Sequence, residues 1–377
     1  MPKGNGLRNF AVSCAIKYYN FVDPLLQRRS LKNYDNDIKT ITPGSRRYDS
    51  GKYAVFVYYE TNGDVSKSVK NIIEALLRRN SNIIVVTNID LSDRQLNWIK
   101  ESSHTIIYRG NQGYDFGAYK DCINYLRDTA PDLERVTLLN DSVYYFSNGI
   151  DSFSEGLEGD EDCIAAFENW DPIHAYHLQS FALSISARVF NHPLFKNFWD
   201  SYVPVNNRLH AINSGEKKLS EVCLRASNST RIVYSTEHAI KAVTAGVKEL
   251  KPFEFYISSP IEIRADKSFV LSSNTPKGGR YENPAVESMK MLTSIDSIYR
   301  GSPIHAGMMH FVWYTDCPIV KKDVVYRQQY RFWEVEYVLR KRFDQKEVEE
   351  YLTMVRKKGT LAALSPLKRL KSKIGAA

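Results

Sequence analysis

Between residues 53 and 141 the chain swings repeatedly between strand-like and helix-like patterning, and that alternation constrains its fold more than any other feature. YAVFVYY (53–59), NIIVVTN (82–88), SHTIIYR (103–109) and RVTLLND (135–141) are short runs rich in β-branched and aromatic residues, which read as buried strands. Between them, SKSVKNIIEALLRR (66–79), LSDRQLNWIKES (91–102) and YDFGAYKDCINYLRD (114–128) carry helical spacing. Strands separated by such helices build βαβ units, and these imply an α/β fold with a mainly parallel sheet flanked by helices. In open sheets of this kind ligands bind outside the carboxyl ends of the strands.

The window YRGNQGYDFGAYKDCINYLRDTAPDLERVTLLNDS (108–142) falls on two such ends. Arg109, Asn111, Gly113, Asp115 and Gly117 crowd into a turn ahead of a helix, and VTLLN delivers Asp141 at the end of the next strand. A glycine-rich turn at one strand end and a lone acid at another predict one site, for a phosphorylated ligand.

Composition excludes several classes. With 377 residues, 43% hydrophobic and 25% charged, the chain has the make-up of a globular protein able to bury a substantial core. No run approaches the roughly 18 apolar residues of a spanning helix, and the N-terminus has no credible signal-peptide core. Five scattered cysteines, Cys14, Cys122, Cys163, Cys223 and Cys317, offer no CxxC pair. This argues against a disulfide framework or structural zinc and favours a reducing cytosol. The net charge of +8 gathers at the ends: after Tyr351 there is no acid, while Arg356, Lys357, Lys358, Lys368, Arg369, Lys371 and Lys373 are basic. That tail, with Leu361, Leu364, Leu367, Leu370 and Ile374, either lies on an anionic membrane surface or is a solvated helix. No nucleic-acid motif is present, and the basic residues do not lie beside the aromatic ones, so nucleic acid is not expected as a partner.

The expected organisation is a basic N-terminal extension (1–50), a catalytic domain (51–328), and a C-terminal helix with a basic amphipathic tail (329–377). Beyond residue 150, DCIAAFEN (162–169) and HLQSFALSIS (177–186) read as strands. ARVFNHPLFKNFWDSY (187–202) reads as one helix, and GEKKLSEVCLRA as a short helix opened by Gly215 and Glu216. RFWEVEYVLRKRFDQKEVEEYLTMVRKK reads as one long charged helix docked by Phe332, Trp333, Val335 and Leu339.

The series VFVYYE, VVTN, RGNQGYDFGAYK, LLNDSVYY, HLQSFALSIS, FKNFW, INSGEKKLSE and SPIHAGMMHFVW…CPIVKKDVV, over about residues 52–328, resembles the rhamnan synthesis protein F family, bacterial glycosyltransferases of surface polysaccharides. GYDFGAY followed by LLNDSVY is its specific part, and Tyr145 stands where the family pattern leads one to expect glycine. The resemblance implies an inverting, nucleotide-sugar-dependent enzyme with a mixed, mainly parallel glycosyltransferase A fold (Rossmann-like) and helical terminal extensions. It would move L-rhamnose from a dTDP-linked donor to a hydroxyl of a lipid-linked glycan, of O-antigen or rhamnan type. The place of work would be the inner face of the bacterial cytoplasmic membrane, reached through the basic termini and beside other polysaccharide-assembly enzymes.

On this resemblance Asp141 is expected at the diphosphate and at a divalent metal, Mg2+ or Mn2+, although the same residue type also caps turns. Asn140 joins it on the substrate side. Magnesium needs only one or two carboxylates beside substrate phosphates and water. Asp115 either accepts hydrogen bonds from base or ribose, or caps the helix over 116–128. Gly113 and Gly117 permit tight backbone geometry or close ligand approach. Arg109 and Asn111 contact the nucleotide or organise the turn. Glu216 is the expected general base, against a helix-start glutamate favoured by the macrodipole, with Glu168 and Glu237 as competitors. His177, Gln179 and Ser180 would line the sugar pocket, and His305 would reach the diphosphate or metal. Trp199 and Trp313 either stack on sugars or belong to the core. A UDP- or GDP-linked donor, and a non-catalytic scaffold of polysaccharide assembly, are the other readings.

Overall fold

The computed structural model describes residues 19, 21–32, 37–61, 63–171, 175–246, 252–261, 284–299 and 303–359. Its centre is an eight-stranded sheet. In chain order the sheet strands are β1 (Ile38–Pro43), β2 (Lys52–Tyr58), β3 (Asn82–Thr87), β4 (Thr105–Arg109), β5 (Arg135–Asn140), β7 (Cys163–Ala165), β10 (Ala182–Ser186) and β11 (Thr230–Ile232). Across the sheet they run β1-β4-β3-β2-β5-β10-β7-β11. The central ladders β4-β3, β3-β2 and β2-β5 are parallel, whereas β1 and β10 run antiparallel to their neighbours. The mixed, mainly parallel sheet with flanking helices expected from the sequence is therefore present, and each of the four strands expected between residues 53 and 141 lies within a residue or two of its place, whereas the strand expected over 162–169 divides into β7 and Glu168–Asp171.

Period-two alternation explains why both faces are covered. Ala54, Phe56 and Tyr58 of β2, with Ile83 and Val85 of β3, enter one core; Val55, Val57, Ile84 and Val86 enter the other. The helix Lys67–Arg78 and the C-terminal helices pack on the first face, and the helices Tyr114–Thr129, Pro193–Ser201 and Lys217–Ala226 on the second. Strands buried on both sides read as continuous apolar runs, which is why these four were legible. Trp199 is fully buried among Phe116, Phe195, Phe198 and Tyr202, so it is core and stacks on no sugar.

The described residues of the two terminal segments pack with the rest of the fold. β1 comes from the basic extension and pairs with β4, closing an edge that would otherwise offer unpaired backbone groups. Asp23 pairs with Nδ1 of His210 at 2.7 Å, so the helical residues before β1 dock as well. At the other end, Val335, Leu339, Val348, Tyr351, Leu352 and Val355 belong to the first core. The boundaries expected at residues 50 and 328 thus cut through shared packing.

Local readings needed correction where polar or proline residues interrupt a pattern. HLQSFALSIS is no single strand. Ala175–Leu178 (β9) pairs with Glu168–Asp171 (β8) in a separate ribbon, and only β10 joins the main sheet. ARVFNHPLFKNFWDSY splits into Ala187–Asn191 and Pro193–Ser201, with Pro193 at the first turn of the second helix, where its missing N–H costs nothing. The expected long C-terminal helix is likewise two, Phe332–Arg342 and Gln345–Lys358, because the Asp344 carboxylate accepts the N–H groups of Lys346 and Glu347. Trp333, expected to help dock it, is 43% exposed. The basic residues after Gly359 and the first 18 residues lie outside the described part. Among the described residues no helix is long and apolar enough to cross a membrane.

Candidate active site

A cavity of about 320 Å³ opens at the carboxyl ends of β2 and β5, lined by Tyr59, Glu60, Thr61, Asp141, Ser142, Lys321, Lys322, Asp323, Met354 and Lys358. Asp141 is thus where strand-end logic placed it. Its Oδ2 accepts the Tyr59 N–H at 3.1 Å, tying the ends of two adjacent parallel strands together. Burial pushes its carboxyl pKa upward, Lys322 opposes that and Glu60 adds to it.

The far wall comes from a short antiparallel ribbon that sequence reasoning missed. Ile319–Lys321 (β12) pairs with Val143–Tyr145 (β6), setting Lys321 opposite Val143. The Lys321 Nζ lies 3.0 Å from the Ser142 hydroxyl and 4.5 Å from the Phe181 ring centre. The Lys322 N–H donates to the Ser142 carbonyl at 3.3 Å, and its Nζ lies 3.5 Å from Oε1 of Glu60. The only hint in the sequence was the pair of lysines closing the apolar run CPIV. Tyr145 is fully buried and donates its hydroxyl to the Asn140 carbonyl at 3.0 Å, so it braces the end of β5.

Asn140 turns this strand end into a junction. Its amide donates to Asp115 at 2.9 Å and to the Tyr119 hydroxyl at 3.3 Å, while its Oδ1 accepts the Ser142 N–H. The Tyr119 hydroxyl donates in turn to the Ser180 carbonyl at 3.3 Å. Asp115 is not the helix cap: the helix Tyr114–Thr129 starts from Gly113, which is left-handed at φ 81°, and Asp115 sits inside its first turn. Burial first, then the nearby Asp141, pushes the Asp115 carboxyl up to about 6.

Two N–H groups of the turn are claimed from within the protein. The Gln112 N–H donates to Asp37 and the Gly113 N–H to Asn206, at 3.0 and 2.6 Å. Arg109 has only 2% of its side chain exposed and is clamped between Asp121 at 2.7 Å and Asp37 at 3.2 Å. Its expected ligand contact gives way to its other reading: it organises the turn, donating also to the Gln112 carbonyl. Asn111 is exposed on the same turn. Gly117 is required by close approach, since a Cβ there would stand 1.9 Å from the Gln112 carbonyl oxygen.

The second part of the site surrounds Glu216. This residue does not open a helix. It ends a π-helical turn, Ala211–Glu216, inside a continuous helical run that continues as Lys217–Ala226, so the macrodipole explanation falls away. Such π turns are rare and concentrate at functional sites. The Glu216 carboxylate accepts the Ser180 N–H and hydroxyl at 3.0 and 2.7 Å. Nε2 of His177 lies 3.3 Å away and the Gln179 amide 3.5 Å. Burial alone would raise its pKa, but the His177 and Ser180 hydrogen bonds win and hold it near 2. His177, Gln179 and Ser180 are buried and are brought to Glu216; neither they nor Glu216, Asp115 and Asn140 are among the residues lining the cavity. The competitors are accounted for: Glu168 accepts the Thr236 N–H at 2.8 Å, and Glu237 is an exposed partner of Lys241.

Asp141 is the acid in the cavity that a divalent metal could use most readily. His305, expected to reach the diphosphate or metal, pairs at 3.1 Å with Asp323, which lines the same cavity as Asp141, and Asp323 also accepts from Arg327. Glu60 accepts the Ser66 N–H and hydroxyl. Among the described residues no three His, Cys, Asp or Glu side chains converge as a metal-binding group.

Comparison with known proteins agrees with the resemblance read from the sequence: residues 83–250 match the model of the rhamnan synthesis protein F family. A Sinorhizobium fredii (strain NBRC 101917 / NGR234) protein, uncharacterized protein y4gN, is 27% identical over 248 residues, covering 64% of this chain and 63% of its own length. The chain therefore spans less than two thirds of that relative. A solved structure described as a nucleotide-diphospho-sugar transferase, from Desulfovibrio desulfuricans G20, is 12% identical with a TM-score of 0.27, covering 64% of this chain and 98% of its own. The mannosyltransferase of Pyrobaculum calidifontis, in complex with GDP-Man and Mn2+, is 10% identical with a TM-score of 0.29, covering 92% and 97%. Overlap this slight says nothing about the site.

Proposed function

We propose that the chain is a nucleotide-sugar-dependent glycosyltransferase of the glycosyltransferase A type, with its donor diphosphate in the cavity beside Asp141. The observation that carries this reading is the union, at the carboxyl ends of β2 and β5, of an acid with Lys321 and Lys322 from a distant segment. In the proposed reaction the acceptor oxygen bonds to the anomeric carbon while the bond from that carbon to the diphosphate oxygen breaks. The electron pair stays on the diphosphate, and the acceptor proton passes to a carboxylate. Fixed charges are effective in such a place because they need no reorganisation as charge develops.

Asp115 and Asn140 stand on the nucleotide side in this reading. Glu216 is the proposed base. A pKa near 2 keeps it ionised at every working pH, at the expense of basicity, and the 3.5 Å contact from Gln179 is the one most readily yielded to an acceptor hydroxyl. Rhamnose, a dTDP carrier, a lipid-linked acceptor and attachment to an anionic membrane surface are the finer proposals, and they rest on the family match over residues 83–250.

Thermal melting with dTDP, UDP and GDP, followed by transfer assays with the sugar form of whichever binds, tests the reading. One diphosphate should stabilise the protein by about 2.7 kcal/mol at a hundredfold excess over Kd. Asp141→Asn should abolish transfer with the fold intact. If no nucleotide shifts the melting temperature, the enzyme reading is wrong and a scaffold role takes its place.

A further inference from the structure

We infer that Lys321 and Lys322 are the groups that hold and neutralise the donor diphosphate, and that this site works without a divalent metal. The inference rests on the glycosyltransferase reading and adds to it the means by which the leaving group is bound.

The first ground is what the acids are already doing. Of the carboxylates lining the cavity, Glu60 is engaged by Ser66 and Lys322, and Asp323 by His305 and Arg327. That leaves Asp141 as the least committed, with the Tyr59 N–H on one oxygen. Magnesium is held by one or two carboxylates beside substrate phosphates and water, so a metal here would rest on Asp141 alone, and manganese would lack the imidazole it favours. The histidine expected to supply a second ligand is turned to Asp323.

The second ground is where the lysines are. The pairing of β12 with β6 plants Lys321 and Lys322 beside Asp141, so positive charge already stands where a metal would bring it. The charge of Lys322 opposes the upward push that burial gives the Asp141 carboxyl. Lys321 is fixed by the Ser142 hydroxyl below it and the Phe181 ring alongside. Burial works against its charge, opposed by Asp323, Glu216 and Asp115. An ammonium ion kept in so dry a place gains most from an anion brought against it. Two adjacent ammonium groups are point charges without the planar demand of arginine, and so suit either phosphate of a diphosphate. With the lysines on the phosphates, Asp141 is left to accept hydroxyl groups of the donor.

The test uses the full chain and the probes dTDP, UDP and GDP with their nucleosides, each in EDTA and with Mg2+ or Mn2+, read by thermal melting and calorimetric titration. A diphosphate should bind in EDTA as well as with metal. Lys321→Met and Lys322→Met should each weaken that diphosphate about tenfold or more, the loss of one charge-assisted contact, and leave the nucleoside unchanged. Lys322→Gln serves if the methionine variant melts early. Diphosphate binding that appears only with metal overturns this inference and leaves the glycosyltransferase reading standing. Binding in EDTA that neither lysine variant weakens also overturns it. No binding of any nucleotide removes both readings together.

Discussion

Asp115 shows how much a single residue can mean that its sequence context conceals. Its place after Gly113 left it either a ligand of base or ribose or a helix cap; the structure removes the cap and puts it under the Asn140 amide with Asp141 close by. A carboxyl raised from 3.8 to about 6 on folding holds its proton more tightly in the native state. Its effect on stability is therefore absent below pH 4, grows unfavourable as pH climbs from 4 to 6, and is complete above 6. Asp115→Asn keeps the acceptor for Asn140 and removes the charge. We expect it to stabilise the unliganded protein by on the order of 2 kcal/mol at pH 8 and by nothing near pH 4, in urea titrations at the two pH values. An unchanged difference across that range would mean the charge is not the cause. Asp141 was legible at this scale because strand-end position follows from the apolar run before it. Lys321 and Lys322 were not, because only the β12–β6 pairing sets them beside a residue about 180 positions earlier.

At the scale of the element, turns and interruptions decide what the site looks like. The apolar runs of β2 to β5 gave themselves away through burial on both faces, whereas HLQSFALSIS hid a break. Its Gln179 and Ser180 leave the strand path because their polar groups are claimed by Glu216. The π turn before Glu216 had no signal beyond Gly215, whose absent Cβ lets the Phe116 ring approach; a Cβ there would meet the ring at 2.9 Å. Gly117 makes the matching point for the other turn. Gly117→Ala would drive a methyl into the Gln112 carbonyl, which is backbone held by Arg109. We expect a loss of about 2–3 kcal/mol by urea denaturation. Gly63→Ala meets open space at φ 78° and should cost no more than about 1 kcal/mol. Equal losses at the two positions would refute the close-approach argument.

For the molecule as a whole, the ends are part of the machine. The sequence invited a cut near residue 328, since charged helices follow an apolar run there, but charge on the outer face says nothing of what the inner face covers. The helix Gln345–Lys358 buries Val348, Tyr351, Leu352 and Val355. Its Tyr351 hydroxyl donates to the Lys321 carbonyl at 3.0 Å, and its Glu347 reaches Asn71 and Ser147. At about 1.5–3 kcal/mol for each large apolar side chain, its removal takes away about 6–12 kcal/mol, as much as a whole domain commonly holds in reserve. A chain ended at residue 342 should therefore show no cooperative melting by circular dichroism; a sharp transition within a few degrees of the full chain would contradict this.

Such an arrangement has a consequence during synthesis. The cavity takes one wall from Tyr59 and Glu60 and another from Met354 and Lys358, so its first and last pieces leave the ribosome some three hundred residues apart. A growing chain can lay down β2 to β5 early, but the cavity lacks one of its walls until residue 358 has emerged. Chains cut short before that point lack the enclosed space in which Asp141 sits.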